Sequence, residues 1–521
     1  MFFNNTIRVS NNYGSFSSKS TMDFELVLFV KKFIEFVFAY FNIEQNLFEE
    51  GRPPFRLISV ISLLVYGNVN GIVSTEIIAS NSEFHELYQF VSDNLIIAGR
   101  TLRKYRSEYK ELFEKILSLT LILAYYLSIT DFEHVALDGT ILKAFNSPFN
   151  ILKMDDINAL IRHYTIEKLD IGEIKELRLS AIKFIESKSL NDNEKLSVLK
   201  TLKNILEDSR QSSIGINDIT ARWMYNKQHR PQLSYNLQHG VDTKSILICG
   251  INVSQSPTDH YEIPALMEKI LKNLNGIQPE LVSADTIYRT IINLTYLDEK
   301  EITILTPTRK QGKESINHLN ANKFSIDYFL FDPIKDVVIC PNKNELKKYG
   351  PYPCKPDKFG FQREQYAYSN YKACTQCKDN QACCNGGHRT ITKYNHELLN
   401  KAEELMEIEE NKKEYKQRNK VEAPNGTYKT YYHINEMSLV GIENIQTIMD
   451  EIGASYNIKR LFNIFKEKNI DLNDVYKVMD ILTAPSSNFL CNRGLFNQKW
   501  TIFKIKIVYA KPLEVKKTGK G

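Results

Sequence analysis

The sequence predicts an α/β protein, in which a mixed β-sheet core follows a helical N-terminal region and carries an inserted Cys-containing subdomain. Apolar residues recur at helical spacing between residues 21 and 130, which favours packed helices there. From residue 132 onward, stretches such as FEHVALDGTIL, SILICGINVS and EITILTPT are typical of β-strands. Charged helical stretches separate these strands, and this alternation indicates helices packed on a sheet.

The composition is that of a globular protein without a membrane segment. Of the 521 residues, 43% are hydrophobic and 25% are charged, which argues against global disorder. The net charge of +5 is too small to indicate a nucleic-acid partner by itself. The uncharged stretch Ile116–Thr130 is shorter than the roughly 20 residues that a membrane-spanning helix needs. No signal-peptide pattern is visible, so we expect a cytoplasmic protein whose 8 cysteines are reduced.

Changes in composition divide the chain into six regions. The predicted order is a flexible arm at 1–20, a helical domain at 21–130, the first part of the core at 131–309 with a helical insertion near 150–215, a Cys-rich subdomain at 310–395, the last part of the core at 396–485, and a tail at 486–521.

Two aspartates directly follow apolar runs. Asp138 follows His134–Leu137, and Asp285 follows Leu281–Ala284. A carboxylate at the end of a core strand is costly to bury unless it binds something, and α/β sheets place ligands at such ends. The alternative is that each aspartate caps the next turn or helix, a role that Asp fills well.

A third candidate acid lies in a charged helical stretch. Tyr415, Arg418 and Glu422 are spaced to share one helical face, and Lys429 would join them if the helix continued past Pro424. The alternative is a solvated charged helix.

Convergence of Asp138, Asp285 and Glu422 would indicate a metal site. Two carboxylates about 4 Å apart repel by about 4 kcal/mol at an effective dielectric of 20, and divalent cations remove that cost. Mg²⁺ prefers such oxygen ligands, and two ions can stabilise the attacking and leaving oxygens of a phosphodiester displacement.

These residues match a known family. The chain resembles bacterial insertion-sequence transposases of the DDE type. Tyr415, Arg418, Glu422 and Lys429 fit the family's YREK signature at every spacing, and the text around Glu422 is similar to the family's VEHPFGTIK. Asp138-Gly139-Thr140 is similar to the first-Asp motif, and Ala284-Asp285 is similar to the second. The segments Gly51-Arg52-Pro53-Pro54, Tyr235–Gln238 and Thr258–His260 also match.

The resemblance implies a ribonuclease H-like core and a specific activity. Asp138, Asp285 and Glu422 would bind Mg²⁺ (or Mn²⁺), and the enzyme would cut transposon ends and join the 3′ hydroxyls to target DNA. The double-stranded DNA partner would be held by a homodimer or larger assembly, associated with the bacterial nucleoid. Phosphate contacts are expected from Tyr415, Arg418 and Lys429, with end recognition by the helical domain through Arg52, Arg100, Arg103, Lys104 and Arg106.

Some observations leave alternatives open. The basic residues between 100 and 106 are equally a solvated helix face. Thr286, Ile287, Ala423 and Asn425 depart from the family's usual residues, although no member of the acidic triad is lost. A catalytically inactive DNA-binding relative and a metal-dependent nuclease without strand transfer are therefore the competing hypotheses.

The cysteine cluster predicts a structural zinc site. Cys340, Cys374, Cys377 and Cys383 form the preferred set of four ligands, with Cys354 and Cys384 as substitutes. The family carries similar text here. The alternative is a group of reduced, uncoordinated thiols in a loop-rich subdomain.

Overall fold

The structure is a computed structural model. It describes residues 18–44, 54–187, 189–209, 211–226, 228–308, 324–332, 334–352, 365–385, 387–394, 397–434 and 437–484. The predicted DNA contact Arg52, the substitute zinc ligand Cys354, the predicted tail and most of the N-terminal arm lie outside these ranges. No helix in the described parts of the chain is long and apolar enough to cross a membrane.

Six helices form the N-terminal part. They are α1 (Ser18–Tyr40), α2 (Leu57–Val69), α3 (Thr75–Phe84), α4 (Glu86–Val91), α5 (Gly99–Glu108) and α6 (Lys110–Tyr126). Helix α2 is apolar around most of its circumference and is almost entirely buried, as expected for a helix inside a large core.

A mixed sheet follows these helices. Its strands are β1 (His134–Lys143), β4 (Arg222–Tyr225), β5 (Pro231–Asp242), β6 (Ile248–Ser254), β7 (Leu281–Ser283) and β8 (Thr303–Leu305), whereas β2 (Ile151–Lys153) and β3 (Ser213–Gly215) pair with each other in a separate small sheet. Strand β1 is central: it pairs antiparallel with β5 and parallel with β7, and β8 pairs parallel with β7. Strands β4 and β6 share the other edge of β5. The structure is therefore a mixed α/β fold, as the sequence predicts.

Helices connect the strands and cover the sheet. In chain order they are α7 (Met154–Thr165), α8 (Ile171–Glu176), α9 (Leu179–Glu186), α10 (Asp192–Ser209), α11 (Ile263–Asn273) and α12 (Ile291–Glu299). Helix α11 links β6 to β7. Helix α12 links β7 to β8, which are parallel neighbours and therefore need a crossover connection. Helices α7 to α10 have a small core of their own around Leu160, Leu199 and Leu202.

The Cys-containing segment folds around a second sheet. It consists of β9 (Leu330–Asp332), β10 (Val337–Ile339), β11 (Glu345–Tyr352), β12 (Gln365–Ser369) and β13 (Thr390–Tyr394), with the short helices α13 (Tyr371–Thr375) and α14 (Asn380–Cys384). All pairings in this sheet are antiparallel.

The last helices return to the main core. They are α15 (Glu397–Leu405), α16 (Glu409–Tyr415), α17 (Glu422–Thr430), α18 (Ile442–Glu467) and α19 (Leu472–Thr483), with a 3₁₀ segment Lys416–Val421 between α16 and α17. One hydrophobic core includes residues of α1, α2, α6, the main sheet and α18. The N-terminal helices are therefore packed into the same core as the sheet.

Candidate active site

Asp285 follows the end of β7, whereas Asp138 lies inside β1, just beyond the part that pairs with β7, and not at the strand end that the sequence pattern predicts. Ala136 of β1 is in register with Ser283 of β7. Asp138 comes two residues after Ala136, and Asp285 comes two residues after Ser283. Paired strands are about 4.8 Å apart, so the two backbones are close at this edge. The Asp285 side chain is exposed, and its Oδ1 accepts a hydrogen bond of 2.6 Å from the Thr286 N–H. Asp285 thus caps the following turn, which is the alternative role that its position in the sequence allows.

Two side chains from the C-terminal segment hold the Asp138 carboxylate. Arg418 Nη2 donates to Oδ1 at 2.9 Å, and Asn425 Nδ2 donates to Oδ2 at 2.9 Å. Arg418 belongs to the 3₁₀ segment and Asn425 to α17, so two consecutive elements each contribute one donor to the same carboxylate. The sequence predicts a site residue at Arg418 and none at Asn425.

Burial and charge act in opposite directions on Asp138. Burial raises the pKa of this carboxyl above its ordinary value, while the Arg418 cation opposes the rise. Burial also raises the pKa of Tyr415 to about 12, and the charges of Asp285 and Asp138 add to the effect while Arg418 opposes it. Tyr415, Arg418 and both aspartates therefore share one electrostatic environment.

Glu422 lies beside this group, with its side chain turned to solvent. The carbonyl of the preceding residue, Val421, is 3.2 Å from Nε2 of buried His239, which lies opposite Asp138 in β5. The Glu422 side chain itself is exposed. Glu422 begins α17, whereas the sequence pattern places it at the end of the preceding helix. Pro424 fits because it occupies the first helical turn, where no intrahelical N–H bond is lost.

The three acids have the donor chemistry of a magnesium site without its spacing. Carboxylate oxygens are the ligands that Mg²⁺ prefers. Within the described residues, however, no three His, Cys, Asp or Glu side chains are grouped closely enough to hold a metal ion. The exposed Glu422 side chain would have to turn towards Asp138 and Asp285 to complete such a site.

Several buried polar atoms around Asp138 lack hydrogen-bond partners in the described structure. They are Arg418 Nε, Asn425 Oδ1 and His239 Nδ1. An unsatisfied buried polar atom costs about 1–3 kcal/mol, so a cluster of them marks a place where a ligand would be stabilising. Burial lowers the pKa of His239, which favours its neutral form.

The side chain of Lys429, a residue of α17, lies beside β1. Its Nζ is 3.4 Å from Thr140 Oγ1, two residues past Asp138. Lys429 and Thr140 line an open cavity of about 510 Å³, together with Lys143, Asn236 and Asp259. A side chain at position 139 would displace its neighbours, because a Cβ would lie 2.8 Å from Asp259 Oδ1 and closer still to Gln238 Nε2.

The basic residues of α5 have different surroundings. Arg100, Arg103 and Lys104 are exposed, although Arg103 forms an ion pair with Glu76 and Lys104 lies 3.5 Å from Glu108. Arg106 is buried, and its Nε donates to Glu451 Oε2 at 2.6 Å. The structure does not support the predicted DNA contact by Arg106, because its guanidinium faces the core.

The predicted zinc ligands face one another in the small subdomain. Cys340, Cys374, Cys377 and Cys383 line a single cavity, together with Cys384. All five are free thiols, and no three of them stand at the spacing of a bound ion in the described structure.

Comparison with known families gives one informative match. Residues 339–462 match the family model described as a transposase DDE domain. This part of the chain is similar to transposase DDE domains. The match includes Tyr415, Arg418, Glu422 and Lys429, but neither Asp138 nor Asp285.

Two other comparisons add little. A piggyBac transposase synaptic complex with hairpin DNA, solved by cryo-EM, aligns over 96% of this chain and 87% of that chain. The identity is 10% and the TM-score is 0.27, values that support no conclusion about this chain. No curated protein is significantly similar to it in sequence.

Sequence reasoning misses two residues near Asp138. Asn425 stands out in the sequence only as a departure from the family's usual Phe, and its contact with Asp138 depends on the helical turn after Glu422. Asp259 accepts hydrogen bonds from Asn236 and Gln238 at 2.7 and 2.6 Å. These bonds connect the motif Thr258–His260 to the motif Tyr235–Gln238. The only signal for Asp259 is its place in one of those motifs.

Proposed function

We propose that this protein is a DDE-type DNA transposase that cuts insertion-sequence ends and joins the freed 3′ hydroxyls to target DNA. The observation that carries this proposal is the contact of Arg418 and Asn425 with Asp138, because it brings the segment matched by the transposase family to the middle of β1. A ribonuclease H-like core is supported by the strand order, in which antiparallel β6, β5 and β1 are followed by parallel β7 and β8.

The residues of this site would divide the work on DNA. Asp138, Asp285 and Glu422 would hold Mg²⁺ or Mn²⁺, which when bound supply Lewis-acid stabilisation of the reacting phosphate oxygens. Arg418 is a planar cation suited to phosphate oxygens, and Lys429 offers a second positive charge along β1. Tyr415 keeps its hydroxyl proton, since burial raises its pKa to about 12, and it would donate that proton in a hydrogen bond to phosphate.

Arg418 would change partners when DNA binds. Without DNA its guanidinium neutralises Asp138, and a phosphate group would compete for the same donors. Moving Arg418 to phosphate would free an Asp138 oxygen for a cation. Pairing of two transposon ends would require a homodimer or larger assembly, and the cytoplasm with its nucleoid would be the place of action.

The test is a cleavage and joining assay with Mg²⁺. The substrate is a plasmid that carries the gene with its natural flanking DNA, incubated with a second plasmid as target. The variant is Asp138→Ala, and the matched control is Asp131→Ala, which removes an exposed carboxylate paired with Lys244 near the start of β1. We expect cleaved and joined products from the wild type and the control, and neither from Asp138→Ala.

Each other result has a definite meaning. Binding of the flanking DNA without cleavage would favour the inactive DNA-binding alternative. Cleavage without a joined product would favour a nuclease. Equal cleavage by Asp138→Ala and the wild type would overturn the proposed site.

A further inference from the structure

Among the residues that the structure describes, the small second sheet has little hydrophobic core to stabilise it. The buried residues that form its cluster are Phe329, Val338, Leu346, Tyr368 and Ile391. The two helices packed beside it, α13 and α14, have five residues each and no buried residue. Small units of this kind commonly depend on disulfides or a structural metal, because their apolar burial is insufficient.

Five thiols from three separate segments meet where such a metal would be effective. Cys340 lies in the turn between β10 and β11, Cys374 and Cys377 lie in and just after α13, and Cys383 and Cys384 end α14. They line one cavity of about 30 Å³ whose other walls include Phe324, Phe329 and Leu346. A space of this size holds one or two water-sized groups, so it fits a single ion and excludes an organic cofactor.

The surroundings of two sulfurs suit thiolates. The Asn344 N–H donates to Cys340 Sγ at 3.3 Å, and Asn342 Nδ2 donates to Cys377 Sγ at 3.2 Å. The turn that presents the Asn344 N–H is closed by bonds between Cys340 and Asn344 and has Lys343 in the left-handed region at φ 64°. N–H groups directed at sulfur stabilise negative charge on it, which is the form that binds metal.

Cys384 differs from the other four. Its Sγ donates to the carbonyls of Asn380 and Gly387, at 3.4 and 3.3 Å. This sulfur also accepts a hydrogen bond from Asn380 Nδ2 at 3.4 Å, but its contacts with two carbonyls of its own turn favour the protonated thiol, so Cys384 is the least suitable ligand. Cys340, Cys374 and Cys383 by contrast pack against the core of the second sheet.

We propose that Cys340, Cys374, Cys377 and Cys383 bind one structural Zn²⁺ that links the β10–β11 turn to α13 and α14. Four thiolates complete the tetrahedral shell of zinc and leave no open position, so the role is structural. The four side chains line one cavity, and their sulfurs would have to turn towards its centre to bind the ion. The inference is independent of the proposed transposase activity.

The test uses full-length protein purified from medium supplied with zinc. Elemental analysis should find one zinc per chain in the wild type and in the matched control Cys384→Ser, and less than about a tenth of that in Cys374→Ser and Cys383→Ser. Loss of zinc from Cys384→Ser with retention in Cys383→Ser would overturn the proposed ligand set.

A second measurement avoids dependence on the folding of the variants. Wild-type protein stripped of metal should bind one equivalent of Co²⁺ and show the intense visible bands of tetrahedral thiolate coordination, which added Zn²⁺ should abolish. Wild-type protein that contains no zinc and gives no such bands would overturn the site itself.

Discussion

Two arginine–carboxylate pairs join the N- and C-terminal parts of this molecule, and they differ in how completely they are satisfied. Arg106 of α5 binds both oxygens of Glu451 in α18, at 2.6 and 3.0 Å, and also donates to the Val73 carbonyl. The Glu451 side chain is fully buried. Arg418 makes one bond to Asp138, which is 21% exposed, and its Nε has no partner among the described residues.

This difference separates a structural ion pair from a candidate functional one. The Arg106 pair is dry and bidentate, so it fixes α5 against α18 and has no capacity for a ligand. The Arg418 pair lies beside unsatisfied polar atoms on β1, and solvent or a ligand can reach it. Completeness of hydrogen bonding, more than the presence of an ion pair, distinguishes the two positions.

The largest expected effect is on stability. Arg106→Met would leave the Glu451 carboxylate buried without its cation and should lower the free energy of unfolding by about 3–5 kcal/mol. Arg418→Met should lower it by less, because the Asp138 side chain is partly exposed and keeps its hydrogen bond from Asn425. Urea denaturation of both variants measures the difference, and replacing Arg106 and Glu451 together by Met should recover much of the loss. Equal destabilisation by the two single variants would contradict the distinction between a structural Arg106–Glu451 pair and a functional Arg418–Asp138 pair.

Asp450, next to Glu451 in α18, is a carboxylate without a bidentate arginine, and its pKa reflects this. Burial raises its pKa from 3.8 to about 7, against the opposing effects of Lys269 and a hydrogen bond from Gln446. The folded state therefore binds this proton more tightly than the unfolded chain. Its contribution to stability is complete below about pH 4 and is lost as the pH rises towards 7.

Asp450→Asn should remove that dependence. Relative to the wild type, the variant should gain stability between about pH 5 and about pH 8, by at most about 3 kcal/mol and by less where solvent reaches the carboxylate. Denaturation midpoints at the two pH values, measured for both proteins, give the comparison. Parallel pH profiles would show that Asp450 does not titrate in this range.

The contact of Asn425 with Asp138 gives a prediction for DNA cleavage. Asn425→Ala removes one of the two donors to Asp138, and a loss of about 1 kcal/mol in positioning corresponds to a roughly five- to tenfold lower rate of DNA cleavage. Stability should change little. Asn444→Ala, at an exposed position of α18, is the matched control and should cleave normally. An unchanged rate in Asn425→Ala would mean that Arg418 alone positions Asp138.

The smallest effect concerns the exposed part of α5. Alanine at Arg100, Arg103 and Lys104 should weaken DNA binding and reduce the slope of log K against log salt by about 1 for each phosphate that is no longer neutralised by a cation. Alanine at the exposed Lys168, Lys175 and Lys183 of the helical insertion removes the same charge and should leave the slope nearly unchanged. Identical slopes for both triple variants would show that α5 makes no specific phosphate contact.

Local patterns in the sequence are sufficient for some features and insufficient for others. The apolar run before Asp138 predicts β1, and the spacing of the cysteines predicts that they gather. The same patterns predict that Arg106 is exposed like its neighbours Arg103 and Lys104. Helical spacing does not reveal its partner Glu451, which is 345 residues away in the sequence. They also give no reason to expect the Asn425 contact, which depends on how α17 packs against β1.

The sequence by itself determined the N-terminal helices, main-sheet strands such as β1, β6 and β8, and the types of side chain available on them, because periodicity and residue chemistry are local properties. The tertiary structure alone decided which charges are paired and which polar atoms are left without partners. Those outcomes depend on desolvation and on contacts between residues hundreds of positions apart. The two arginines have the same chemistry, and only packing makes one a fixed support and the other a candidate for binding DNA.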